Sequence, residues 1–192
     1  MPPKQRITKD MILNTALDIT REHGFESVNA RSIADGLNCS TRPIFSCYKN
    51  MDELKKDFLE FAYSFYVSYT KKHRSTTDER LVFPISYIDF AKNESELFKL
   101  LFISDITLKM KNPADFYKEQ DNIKNAENFA AAIGIPVESA KKIFLDLFLY
   151  SHGIAVLTAE SKISLDDNHI ETMIENMLSS LIEHERKIYN DK

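Results

Sequence analysis

Glycine, cysteine and strand-like alternation are all scarce in this sequence. Only four glycines (Gly24, Gly36, Gly134, Gly153) occur in 192 residues, and alternation of apolar and polar residues between turn formers is nearly absent, which argues against a β fold. Two cysteines without a CxxC pair exclude a disulfide scaffold or a structural zinc cluster, and fit a reducing cytoplasm. No run of about 18 apolar residues occurs, so no membrane-spanning helix is expected. The opening MPPKQRITKD lacks the apolar middle of a secretory signal. Also missing are a Gly-rich phosphate loop, a GxSxG elbow and paired metal-ligand spacing, so no enzyme chemistry, metal or cofactor is expected.

What is present is apolar residues at helical spacing. Hydrophobic residues make up 43% of the chain, enough for a sizeable core, and 13 phenylalanines rule out a disordered chain. The pattern predicts an all-α protein. A first helix spans about Thr8–His23, capped by Thr8, with Ile12, Ala16 and Ile19 inward and Gly24 in a left-handed terminal position. Short helices follow near Ala30–Leu37 and Thr41–Tyr48, then a long one from Met51 to about Lys71-Lys72-His73-Arg74. Beyond Pro84, helices are expected over Ile85–Ala91 and Ser95–Leu108, and a polar stretch, Asp115–Asn128, leads to Gly134. Two strong helices close the chain: Glu138–Ser161, carrying Ile143, Leu147, Ile154 and Leu157, and Asp167–Arg186, capped from Ser164-Leu165-Asp166-Asp167.

The formal net charge of −4 argues at first against a nucleic-acid partner. Yet residues 1–56 carry nine Lys+Arg against seven Asp+Glu, a balance of +2, and the −6 lies in the remainder.

Val28–Leu54, VNARSIADGLNCSTRPIFSCYKNMDEL, is the informative stretch. Asn29 can cap a helix that exposes Arg31 and turns Ile33, Ala34 and Leu37 inward. Asn38-Cys39 forms a tight turn, where Asn tolerates left-handed backbone. Ser40 is then expected to cap a second helix with Ile44, Phe45 and Tyr48 as its apolar residues. Two short helices joined by such a turn describe a helix-turn-helix, which presents its second helix to the major groove.

Gly24-Phe25, Val28, Ile33-Ala34, Ser40, Ile44-Phe45, Tyr48-Lys49 and Glu53-Leu54 together resemble the DNA-binding region of the tetracycline-repressor (TetR/AcrR) family, over about residues 8–60. Asn38 stands where that family often has Gly, Pro43 lies inside the second helix, and Phe45 replaces a frequent Tyr. The resemblance implies a three-helix DNA-binding domain over 1–50 and a ligand-binding and dimerisation domain over 51–192. It implies a homodimeric transcription regulator, more often a repressor, that reads a palindromic double-stranded operator and is released by a small-molecule effector. Ser40, Thr41, Arg42 and Ser46 would face bases, with Arg42 suited to guanine. Arg31, Tyr48, Lys49 and Lys55 would grip phosphates, and Lys4, Arg6 and Lys9 would form a basic arm.

An effector pocket is expected among Phe65, Tyr69, Tyr87, Phe98, Phe102, Phe148 and His152, although a packed core explains the same spacing. Two apolar stripes on the last helix (170-174-178-182 and 173-177-181) exceed what one packing partner needs. With small residues on the preceding helix, they suit a four-helix dimer contact through Ser151, Ala155, Thr158, Ile170, Ile174, Met177, Leu178 and Leu181. Cys39 reads as a small core residue and Cys47 as an exposed one open to oxidation. The Asp166–His169 cluster fits a helix cap as well as a metal site. The rival reading is a helical small-molecule-binding or carrier protein without DNA binding.

Overall fold

The computed structural model describes residues 6–73, 76–104 and 110–190, with side chains through 187. The protein is all-helical. Its helices are α1 (Lys9–His23), α2 (Ala30–Gly36), α3 (Arg42–Cys47), α4 (Met51–Lys72), α5 (Val82–Asn93), α6 (Ser95–Lys99), α7 (Gln120–Ile133), α8 (Val137–Ala159) and α9 (Asp167–Asn190). They fall into two compact units: Met1–Tyr69 with Glu94–Asp105, and Thr70–Asn93 with Ile106–Lys192.

In the first unit, Thr8 caps α1 by accepting from the Met11 amide at 3.3 Å. Ile12, Leu13, Ala16, Leu17 and Thr20 form its buried stripe, while Ile19 is half-buried. Gly24 is not left-handed in the helical sense expected. Its φ of 78° is paired with ψ of 159°, an extended conformation that essentially only glycine adopts. The chain then passes through a 3₁₀ turn, Phe25–Ser27, into α2. On α4, Leu54, Phe58, Ala62 and Tyr69 are buried, and Phe58 stacks on Phe25 at 5.7 Å. Arg21 ties α1 to the residue before α6 with a bidentate pair to Glu94 at 2.8 and 2.6 Å. The segment beyond α6 is not α-helical: Leu100–Ser104 is a π-helical turn, and the expected continuation to Leu108 lies outside the described residues.

In the second unit, α5 packs on α8, which also meets α7 and α9. Helix α5 begins before Pro84, which sits in its first turn, where a missing amide costs little. Phe144 is buried against Phe83, Phe129 and Phe116 at 5.0, 5.8 and 6.3 Å. Residues 113–118 form a 3₁₀ turn held by Asn112 and Asp115 in a reciprocal cap. Asp115 accepts from the amides of Lys111 and Asn112 and pairs with Lys118 at 2.6 Å. These contacts, Lys118 first, pull its carboxyl down to about 2. Gly134 ends α7 in the left-handed conformation (φ 67°).

Contrary to expectation, α8 is long and apolar enough to cross a membrane by length and composition. Nine of its residues are nonetheless buried in the unit, from Ala140 to Ala159. A core helix packed inside its unit meets the same length and composition test.

Candidate nucleic-acid interface

Between Asn29 and Lys49 the backbone is fixed almost wholly by short-range hydrogen bonds. The Asn29 carboxamide oxygen accepts from the Arg31 and Ser32 amides at 3.0 and 3.1 Å, and the Ser32 hydroxyl accepts from the Asn29 amide at 3.0 Å. This capping box starts α2 and leaves Arg31 exposed in its first turn. Ile33 and Ala34 are buried against the rest of the unit. Asn38 then takes φ of 50°, the left-handed turn expected of it.

Helix α3 starts one residue later than its expected cap. Thr41, not Ser40, is the N-cap residue, and it makes no side-chain cap bond. Pro43 at the second helical position removes one of the amides such a bond would serve. Ile44 points inward and is wholly buried. Arg42 and Ser46 are exposed on the helix and Lys49 beyond its end, with Ser40 exposed just before the helix and Thr41 half-buried. The Ser46 hydroxyl donates back to the Arg42 carbonyl at 3.0 Å, leaving its lone pairs outward.

Phe45 is 48% exposed, while Ile44 takes the inward position of this short helix. Tyr48, expected at phosphate, is 2% exposed, and its hydroxyl donates to Asp57 at 2.8 Å. Burial, then the neighbouring Asp57, pushes the Tyr48 hydroxyl well above its ordinary value. Asp57 is in turn pulled down by that hydroxyl and by Lys9 at 3.2 Å. Lys9 also lies 4.4 Å over the Tyr48 ring, so it belongs to the first turn of α1 rather than to a loose arm. Arg6 is exposed ahead of that helix, and Lys4 lies outside the described residues. Lys55 is half-buried over the Phe25 ring at 5.2 Å. Both cysteines are half-buried, and the Cys47 thiol contacts the Ile7 carbonyl oxygen at 3.9 Å.

The expected effector-pocket residues divide between the units. Phe65, Tyr69, Phe98 and Phe102 belong to the first, where Phe98 packs on Phe102 at 5.3 Å and Phe65 carries Arg21 over its ring at 4.9 Å. Tyr87, Phe148 and His152 come together in the second. The Tyr87 hydroxyl meets His152 Nδ1 at 2.9 Å, and Phe148 stacks on His152 at 5.7 Å. Burial lowers the His152 pKa and so favours the neutral ring. Tyr69, Tyr87 and Phe98 are buried core residues. A pocket of about 250 Å³ lies elsewhere in the second unit, lined by Ile135, Pro136, Ser139, Ile143, Ile182, Glu185 and Arg186. Nothing in the apolar spacing had marked it, since its walls come from a helix junction and the far end of α9.

The expected dimer residues also need correction. Ser151, Ala155, Ile170, Ile174 and Leu178 are buried, in a unit where α5, α8 and α9 pack on one another. Met177, Leu181 and Thr158 are half-buried, and the Thr158 hydroxyl is a buried atom with no hydrogen-bond partner. The exposed large apolar residues of α8 are Val137 at its start and, further along, Leu149 and Leu157, at 51% and 45%, with Gly153 between them. Asp166 caps α9 by accepting from the His169 amide and ring at 2.9 and 2.7 Å. Among the described residues no His, Cys, Asp or Glu group could hold a metal ion.

No protein-family model matches the chain, and no curated protein sequence does. Among solved structures, one named "Clostridium perfringens putative fatty acid metabolism regulator" is similar at 14% identity and a TM-score of 0.46. That match covers 88% of this chain and 97% of the other.

Proposed function

We propose that this protein is a TetR-type transcription regulator that binds a near-palindromic DNA operator as a homodimer and is released by a small-molecule effector. One observation carries the reading. Ile44 and Tyr48 anchor α3 to its unit, while Arg42 and Ser46 are exposed on the helix and Lys49 just beyond its end. A helix anchored on one side and cationic on the other is what a major groove accepts. Arg31, exposed at the capped start of α2, and Lys49 are suited to phosphate, whereas Tyr48 serves as the anchor.

In this reading residues 1–50 read DNA, and residues 51–192 bind the effector and the second copy in the cytoplasm. Leu149, Gly153 and Leu157 on α8, with Met173, Met177 and Leu181 on α9, are the apolar positions left for a dimer contact. The Tyr87–Phe148–His152 group, with its neutral imidazole, is where we place effector recognition. An effector releases DNA only through unequal affinity for the two states.

Selection from random duplexes, repeated at several salt concentrations, tests the reading. The expected product is a symmetric site whose affinity falls linearly on a log–log salt plot. Arg42→Ala should cost about 1–3 kcal/mol on that site and relax preference at one position per half-site. Failure to enrich any symmetric duplex overturns the proposal.

A further inference from the structure

Phe45 is the exposed aromatic residue that neither the core nor a polar contact accounts for on α3. It stands three residues after Arg42, so the two share one side of the helix, and Arg42 is exposed; Lys49, also exposed, follows beyond the helix end. Its ring carries no hydroxyl, so it cannot donate to a phosphate. The hydroxyl of the nearby Tyr48 is turned inward to Asp57. An exposed hydrocarbon ring on the Arg42 side of the helix is poorly placed in water and cannot enter the core without displacing Ile44, which is wholly buried. The surface that would cover it carries negative charge for Arg42 and Lys49 and one apolar group for the ring. In a duplex major groove, thymine alone among the four bases presents such a group, its 5-methyl.

We infer that Phe45 is a specificity-determining residue that reads the 5-methyl group of one thymine in each operator half-site. The inference rests on the DNA-binding reading above and adds a base that Arg42 and Ser46 do not account for. The contact is apolar, so it contributes discrimination between thymine and any base lacking the methyl. Salt dependence stays with the cations.

Replacing each operator thymine singly by deoxyuridine removes that methyl and nothing else. Binding of the full chain to each duplex, followed by fluorescence anisotropy, should weaken about three- to fivefold at one thymine per half-site. Phe45→Ala should bind the thymine and uracil forms of that site equally, and Phe45→Leu should retain part of the preference. Thermal unfolding of both variants should match the parent, since the side chain is outside the core. Uracil tolerated at every position overturns the inference while leaving DNA binding intact, as does a Phe45→Ala protein as sensitive to uracil as the parent. A change in self-association on Phe45→Ala, with thymine preference unchanged, assigns the ring to a protein contact and also overturns it. A parent protein that enriches no duplex overturns the DNA reading and this inference together.

Discussion

The first unit holds its reading elements, α2 and α3, with caps and single buried side chains, whereas the second packs helices of 12 to 24 residues through aromatic rings. Local hydrogen bonds leave a short helix free to expose one whole edge. Ring packing leaves little outward except where no neighbouring helix passes. The contrast separates two kinds of evidence about function. In α3 the outward residues are what remains after one anchor per turn. Around Phe144 the inward residues have become core, and a site there must share its walls with the packing.

The sharpest way to break that contrast is Phe144→Ala. If the ring cluster is close-packed core, losing a buried phenyl between Phe83, Phe116 and Phe129 should cost about 3–5 kcal/mol in thermal or denaturant unfolding. A loss below about 1 kcal/mol would mean that the cluster is loose enough to be an effector cavity.

How far the sequence was legible follows the same division. Asn29 as a cap and Asn38 as a left-handed turn are readable because each acts within three residues of itself. Phe45 and Ile44 are adjacent apolar residues on a helix of six, and periodicity over so short a span cannot say which one faces in. Tyr48 was open to a phosphate role until Asp57, on the next helix, was seen to hold its hydroxyl. The aromatic list divides between the two units because helical spacing registers a buried face without saying which helix covers it. Tyr87 and His152 meet across 65 residues of sequence, whereas Phe65 and Phe98 belong to the other unit. Ser151 and Ala155 show the same limit: small residues permit close approach by a second copy or by the chain's own neighbouring helix.

Close approach has a direct test in the first unit. A Cβ on Gly36 would stand 2.7 Å from the Thr15 methyl, and Thr15 is fixed by its hydroxyl bond to the Met11 carbonyl at 2.9 Å. Gly36→Ala should therefore destabilise by about 1–3 kcal/mol, despite gaining up to about 1 kcal/mol of helix propensity. Unfolding midpoints measure it, and a neutral or stabilising result would show that α1 and α2 separate freely.

The α3 anchor should be a smaller contribution with a pH signature. Tyr48→Phe removes one hydrogen bond to a carboxylate that is 36% exposed, so the expected loss is about 0.5–1.5 kcal/mol near neutral pH. Asp57 has a lower pKa folded than unfolded, the Tyr48 bond being the leading cause. Its contribution is therefore complete above the unfolded value of about 3.9 and disappears as pH falls through the folded one. The variant should lose stability less steeply below about pH 4 than the parent. Parallel acid slopes for the two proteins would remove Tyr48 as the group that holds Asp57 ionised.

The smallest expected effect has the opposite sign and bears on the outward face of the second unit. Gly153 lies mid-helix in α8, and a Cβ there meets nothing within 4 Å. In a chain alone in solution, Gly153→Ala should stabilise by about 0.5–1 kcal/mol, because glycine loses the most backbone freedom on entering a helix. If a second copy rests on the surface from Leu149 to Leu157, the added methyl lies at that contact and holds the two helices apart. Dilute unfolding and concentration-dependent sedimentation separate these effects. Stability should rise while self-association weakens. A gain in stability with self-association unchanged would move the dimer contact away from this face of α8, leaving the exposed leucines without the partner proposed for them.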